Sequence, residues 1–217
     1  MSAALSNYLC KILLILADMD EAKSLIEDFA FNRADKNFYQ CRDSHMSIAM
    51  DMILLEQWGE DGVIQALRDI KLENYDSCVN LGFAGSCSPD LPLQTFYTID
   101  KVSKLSKTTP EQLDSAIELE IVAIPNLPKA NLVSAHAPYK YGFHETFQLV
   151  DMEGYAIARL CKNHNLPCMM MKITSDYATR EGEEYLKKHR SILAEKLSYA
   201  FTSSIYDIVE TSIPSQI

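Results

Sequence analysis

Short apolar runs, each too brief for a packed helix, alternate along this chain with stretches of helical apolar spacing. That is the pattern of an α/β fold on a largely parallel sheet. Residues 11–17 read as a buried first strand. Residues 20–29 read as a helix whose acidic opening turn suits the helix dipole. Residues 59–72 place Val63, Ala66, Leu67 and Ile70 at helical spacing. Residues 76–82 read as a short buried strand ending in the glycine-rich turn GFAGS (82–86). The runs 94–100, 119–125 and 131–135 are expected as strands and 109–117 as a short helix. The last third predicts a strand over 147–152, then a helix over 153–164 with Ala156, Ile157, Leu160 and Cys161 on one face. Asn165-Leu166-Pro167 breaks that helix, residues 168–174 (CMMMKIT) form the next strand, and an amphipathic helix over 181–209 closes the chain.

No internal repeat or linker interrupts this order, so all 217 residues are expected to form one domain with loose ends at 1–9 and 210–217. Residues 9–17 resemble a signal-peptide core, but no basic residue precedes them, Lys11 interrupts them and DMDE follows. A cytoplasmic protein without a membrane partner is expected. The formal charge of −10 repels nucleic-acid backbone, and no basic stripe offsets it. The six cysteines include no C-x-x-C pair and mostly sit in apolar runs, which predicts buried free thiols. The histidines are scattered, and neither metal nor cofactor is expected.

Ligands of such sheets gather at the carboxyl ends of strands. Four features fall there: DMDE (18–21), NLGFAG (80–85), DMEG (151–154) and TSD (174–176). Asp18 and Asp20 read as an acidic first helical turn. Asp151 and Glu153 flank Met152 at a strand end. Asp176 ends an apolar run that also holds Lys172, a costly place for a charge without a partner or a task. GFAGS matches neither the dinucleotide nor the triphosphate glycine pattern.

Together these segments resemble the methylthioadenosine/S-adenosylhomocysteine nucleosidases. VDMEGYAIARLCKNHNLPCMMMKITSD (150–176) is similar to that family's V-E-M-E-[AG]-x-A-[IV]-A helix, N-x-P break, apolar strand and R-x-I-S-D. NLGFAG resembles its N-T-G-x-A-G turn, and KILLILADMDEAKSLI (11–26) its opening strand and A-M-x-x-E segment. The resemblance implies a single-domain, three-layer α/β/α sandwich of nucleoside-phosphorylase type with a mixed central sheet. It also implies cleavage of a purine N-glycosidic bond. Asp176 would be the acid that protonates the purine, which requires burial to raise its proton affinity. Glu21 would orient water on the opposite face of the sugar, as in an inverting glycosidase. Glu153 would grip the ribose hydroxyls and Met152 pack under the sugar. The purine and 5′ pocket would draw on Phe83, Ala84, Gly85, Pro138, Tyr139, Ser175 and Lys172.

Departures from the family are informative. Phe83 replaces a serine and Lys172 an arginine, both near the attacking water. Pro138 or Tyr139 stands in for the purine-stacking phenylalanine, and WGEDG (58–62) is what remains of S-G-x-G-K. The segment between Gly85 and Glu153 is shorter than in relatives, where it closes the 5′ pocket and builds the dimer. A monomer or atypical homodimer is therefore expected. Asp at 176 favours adenine over hypoxanthine, since futalosine hydrolases proper tend to carry Asn there. The implied substrate is an adenosine with a bulky 5′ group, 6-amino-6-deoxyfutalosine of menaquinone synthesis ahead of the thioether nucleosides. A phosphorylase would need cations for phosphate, which Glu21 repels. A non-catalytic binder would have no use for the acid.

Overall fold

The computed structural model describes residues 8–107, 112–114 and 118–213. Its strands are β1 (Cys10–Leu16), β2 (Asn32–Asp35), β3 (Phe38–Asp43), β4 (Ile48–Leu54), β5 (Ser77–Ser86), β6 (Phe96–Lys104), β7 (Leu119–Glu120), β8 (Lys129–Ser134), β9 (Leu149–Asp151) and β10 (Cys168–Asp176). Its helices are α1 (Met19–Asp28), α2 (Gly59–Leu67), α3 (Gly154–Asn163) and α4 (Gly182–Ser212). β1 runs parallel to both β4 and β5. β5 pairs in parallel with β10 and antiparallel with β9. β10 then pairs with β6, β6 with β8, and β8 with β9. Strands β5, β10, β6, β8 and β9 thus close into a ring, and β4, β3 and β2 extend the mixed sheet outward as an antiparallel meander.

The sheet is covered on both faces, and β1 shows how its sequence does this. Ile12, Leu14 and Leu16 join Leu25, Leu193, Leu197, Phe201 and Ile205 in the layer under α1 and α4. Leu13 and Ile15 join Val63, Leu67, Ala156, Ile157 and Cys161 in the layer under α2 and α3. A strand buried on both faces needs an unbroken apolar run, because alternation would put polar groups into one layer.

Several boundaries differ from the sequence expectations. GFAGS is the second half of the ten-residue strand β5, not a turn. The helix at Gly59 stops at Leu67, with a separate 3₁₀ turn at Leu72–Asn74. Of the run 119–125, only Leu119–Glu120 and a bridge at Val122 are extended. α4 continues to Ser212, whose buried hydroxyl lies 2.6 Å from that of Ser77, so residues 210–212 are packed helix. Most of the expected helix at 109–117, together with residues 1–7 and 214–217, lies outside the described residues. All six cysteines are buried free thiols. Among the described residues no helix is long and apolar enough to cross a membrane, and no group of three acidic, Cys or His side chains is set to hold a metal.

Candidate active site

The carboxyl end of β1 hands Glu21 to the sheet. Asp18 caps α1, its Oδ1 accepting from the N–H groups of Asp20 (2.9 Å) and Glu21 (3.2 Å). That cap fixes Glu21 in the first turn with its side chain turned back over β1 and β5. There its Oε2 accepts from Ala17 N (2.8 Å) and its Oε1 from Phe83 N (2.7 Å). The carboxylate occupies the space a side chain at 82 would need: a Cβ on Gly82 would stand 2.8 Å from Oε1. Gly82→Ala is therefore expected to push Glu21 out of register and lower turnover by roughly 10²-fold, the scale set by a displacement of about 1 Å. The measurement is kcat with circular dichroism to confirm folding, and unchanged kcat would refute the placement.

Glu153 stands at the N-terminus of α3 but does not cap its own helix. Its Oε1 accepts instead from Gly59 N at 2.6 Å, ninety-four residues away, and its Oε2 from Met152 N at 3.3 Å. Gly59 has φ +84°, a conformation glycine adopts without steric cost, and this aims the N–H at Glu153.

Between these carboxylates lies Lys172, 2% exposed and the only buried lysine or arginine among the described residues. Its Nζ sits 2.9 Å from Asp151 Oδ2. Asp151 also accepts from the Ser134 hydroxyl (2.6 Å) and from Gly154 N (3.0 Å). Burial opposes the ammonium charge, yet Asp151, Glu21 and Glu153 together hold Lys172 above the usual lysine range. One cation does not balance three buried carboxylates. Burial pushes Glu21 up to about 7 despite the opposing pull of Lys172 and the Phe83 N–H. Burial, and then the charge of Asp151, likewise raises Glu153.

Asp176 ends β10 at an irregularity, where the pairing with β5 slips between Thr174 and Asp176. Such a slip re-aims the side chain that follows it. Ser175 Oγ lies 2.7 Å from Asp176 Oδ2, and Ala178 N donates to Oδ1 at 2.6 Å. Asp176 is not the cap of α4, whose first turn begins at Gly182. That glycine lies so close above Asp176 that a Cβ there would come within 2.7 Å of Oδ1.

Asp176 opens into a cleft of about 310 Å³, also lined by Gly85, Pro138, Tyr139, Asp151 and Met152. Trp58 and the underside of α4 complete its walls. The volume suits a nucleoside-sized ligand. A larger hollow of about 500 Å³ between the β2–β3 hairpin and α2 contains none of these groups. Glu21, Glu153 and Lys172 are all buried, linked by charge across the sheet edge that bears the cleft. Phe83 contributes its backbone N–H, while its ring packs into the layer under α1 and α4 and Ala84 faces the opposite layer, as strand alternation requires.

The sequence had no role for Asp151, Gly59, Gly82 or Trp58. The one available signal was Lys172 itself, because an ammonium inside an apolar strand demands a carboxylate partner.

The phosphorylase superfamily profile matches residues 129–205, from β8 into α4. Among solved structures, the Chlamydia trachomatis nucleosidase CT263 (MTAN), as an Asp-to-Asn variant bound to MTA, gives a TM-score of 0.81 at 39% identity over 94% of this chain and 100% of that one. The same nucleosidase bound to adenine gives 0.81 at 40% identity over the same shares. The Helicobacter pylori 5′-methylthioadenosine/S-adenosylhomocysteine nucleosidase, at 16% identity over 92% and 99% of the chains, shares the fold with a TM-score of 0.76. Comparison with curated proteins gave no match. Identity near 40% across almost the whole of both chains, with a shared fold, is decisive: this chain belongs to the methylthioadenosine/S-adenosylhomocysteine nucleosidase family of N-glycosyl hydrolases.

Proposed function

We propose that this protein hydrolyses the N-glycosidic bond of a 5′-substituted adenosine, releasing adenine, with 6-amino-6-deoxyfutalosine as the favoured substrate. The observation that carries the reading is the placement of Glu21 and Glu153 around one buried ammonium, at the same sheet edge as Asp176. In this reading Glu153 accepts hydrogen bonds from the ribose diol, and Met152 supports the sugar. Asp176 gives its proton to purine N7 as the C1′–N9 bond breaks. Water, oriented by Glu21, adds its oxygen to C1′ and yields its proton to that carboxylate. Asp176 is half-buried at the open cleft, not enclosed as the sequence reading of an acid expected.

A base must be ionised to receive the water proton. With Glu21 raised to about 7, the limb of the kcat/KM profile set by the base is expected to climb as pH rises through about 7. Glu153 must be ionised to accept from the diol and shifts in the same sense. A profile flat from pH 5 to 8 would remove Glu21 from the base role.

The second reading, salvage of thioether nucleosides, is supported by the relative captured with MTA. The deciding assay is adenine release in phosphate-free buffer, followed by chromatography, from 6-amino-6-deoxyfutalosine and methylthioadenosine in parallel. Faster release from the first supports the favoured substrate, and faster release from the second reverses the order. Release only after phosphate is added would make the protein a phosphorylase.

A further inference from the structure

The inner side of α4 is occupied along its whole length. Leu193, Leu197, Phe201, Ile205 and Ile208 bury it in the layer shared with α1, and Leu186 and Arg190 line the cleft near its start. Its outer side is different. The exposed large hydrophobic side chains of the helix are Ile192 (47% exposed), Tyr199 (72%) and Tyr206 (73%). They follow one another at intervals of seven residues, and at about 3.6 residues per turn such an interval returns to within about 20° of its starting direction. An interval of eleven residues does the same, and it separates Tyr199 from exposed Lys188 on one side and from exposed Glu210 on the other. These five side chains form one stripe along about 33 Å of helix, with exposed Glu195 and Ser203 beside it.

The stripe is its own complement. About a two-fold axis at Tyr199, two copies of α4 run antiparallel and bring together residues equidistant from that tyrosine. Ile192 then meets Tyr206 of the second copy, Lys188 meets Glu210 and Glu195 meets Ser203, and symmetry makes each contact twice. Apolar and aromatic groups fill the middle, and opposite charges close both ends. A parallel pairing would instead set Lys188 against Lys188 and Glu210 against Glu210, which repel. The ion pairs that α4 makes within the chain use Glu183, Lys187 and Arg190, and leave Lys188 and Glu210 free among the described residues. The net charge of −10 opposes the approach of two copies. At physiological salt, however, the Debye length of about 8 Å limits that repulsion to charges near the contact. There Lys188 and Lys196 balance Glu195 and Glu210.

We propose that the outer face of α4 is a self-association surface, on which a second copy of this chain docks antiparallel about a two-fold axis at Tyr199. Arg190 precedes Tyr199 by nine residues, two and a half turns, so the cleft lies on the opposite side of the helix and stays open in the dimer. Each protomer keeps a complete site. A stripe one helix wide covers less than the roughly 800 Å² per partner of a standard interface, which places the dissociation constant in the micromolar range.

The test is sedimentation equilibrium at chain concentrations from about 1 to 300 µM, a span that brackets a micromolar Kd. It compares wild type, Tyr199→Glu, Lys188→Glu, and Lys188→Glu combined with Glu210→Lys, with circular dichroism to confirm folding. These side chains are exposed, so each variant is expected to fold. Wild type should pass from monomer to dimer within the span. Tyr199→Glu sets two carboxylates against each other at the axis and should abolish the dimer. Lys188→Glu turns both end contacts from attraction to repulsion and should raise Kd about 10-fold. The double exchange restores both contacts and should return Kd to within about 3-fold of wild type. A wild type that stays monomeric throughout leaves the stripe to solvent or to a different protein, and overturns the inference. So does a dimer that Tyr199→Glu weakens less than about 2-fold, because it would sit on another face. A loss in Lys188→Glu that the double exchange fails to recover overturns the antiparallel pairing.

Discussion

Asp176→Asn is expected to lower the rate of adenine release by about 10² to 10⁴, the contribution of a positioned acid, while leaving the fold and nucleoside binding in place. The argument is isosteric. Asparagine keeps an oxygen where Oδ1 now accepts from Ala178 N at 2.6 Å, so the turn into α4 survives. It keeps the volume under Gly182, where there is no room for a larger group. What it loses is the transferable proton. Adenine must then leave through N9 with N7 unprotonated, as an anion, a poorer leaving group than the neutral base. The measurement is single-turnover release of adenine, with affinity for the unreacted nucleoside determined on the same variant. Affinity within a few-fold of wild type together with the rate loss supports the acid role. Near-normal turnover removes it.

The parts of this site that the sequence revealed are those in which chemistry and local structure coincide. Asp176 stood out in the sequence because a charge at the end of the apolar run CMMMKITS needs a partner, and the structure gives it two, Ala178 N and Ser175 Oγ. Glu153 was legible because a helix-starting Glu follows a strand-ending Asp within one motif. The glycines misled for an identifiable reason. Gly82 and Gly85 punctuate NLGFAGS like a turn, yet both sit in mid-strand because something else fills the space of their side chains. For Gly82 that is the Glu21 carboxylate, and for Gly85 it is Ala178 and Val150, both within 3.2 Å of a built Cβ. β4 escaped notice for a related reason. Asp51 splits its apolar run, and only the tertiary structure shows that Arg42 at 2.6 Å and Tyr75 at 2.8 Å satisfy it. The contact of Gly59 with Glu153 spans ninety-four residues, and local pattern cannot encode a pairing at that separation.

Lys172→Met is expected to be the most destabilising single change in the site. Methionine matches the length and the apolar surroundings of the lysine stem, so the loss is one of charge rather than volume. Breaking a buried ion pair from one side costs about 3–5 kcal/mol, because the remaining charge stays in the interior. For a chain of this size each kcal/mol corresponds to roughly 2–4 °C, which places the fall in Tm at about 6–20 °C. The loss should depend on pH in a defined direction. Lys172 draws the proton affinities of Glu21 and Glu153 downward, so without it both carboxyls hold their protons to higher pH. A protonated carboxyl needs no cation, and the deficit relative to wild type is therefore smaller at pH 5 than at pH 8. For the same reason the rise of kcat/KM with pH should move above its wild-type position near 7. Asp151→Asn placed in the same chain should recover part of the lost stability, since it removes the carboxylate left without a partner, while the Ser134 hydroxyl and Gly154 N–H still find an acceptor at Oδ1. The double-mutant cycle isolates the pair from its surroundings. A Tm that does not move at pH 8, or a double mutant no more stable than Lys172→Met alone, would mean that the pair of Lys172 with Asp151 does not stabilise the fold.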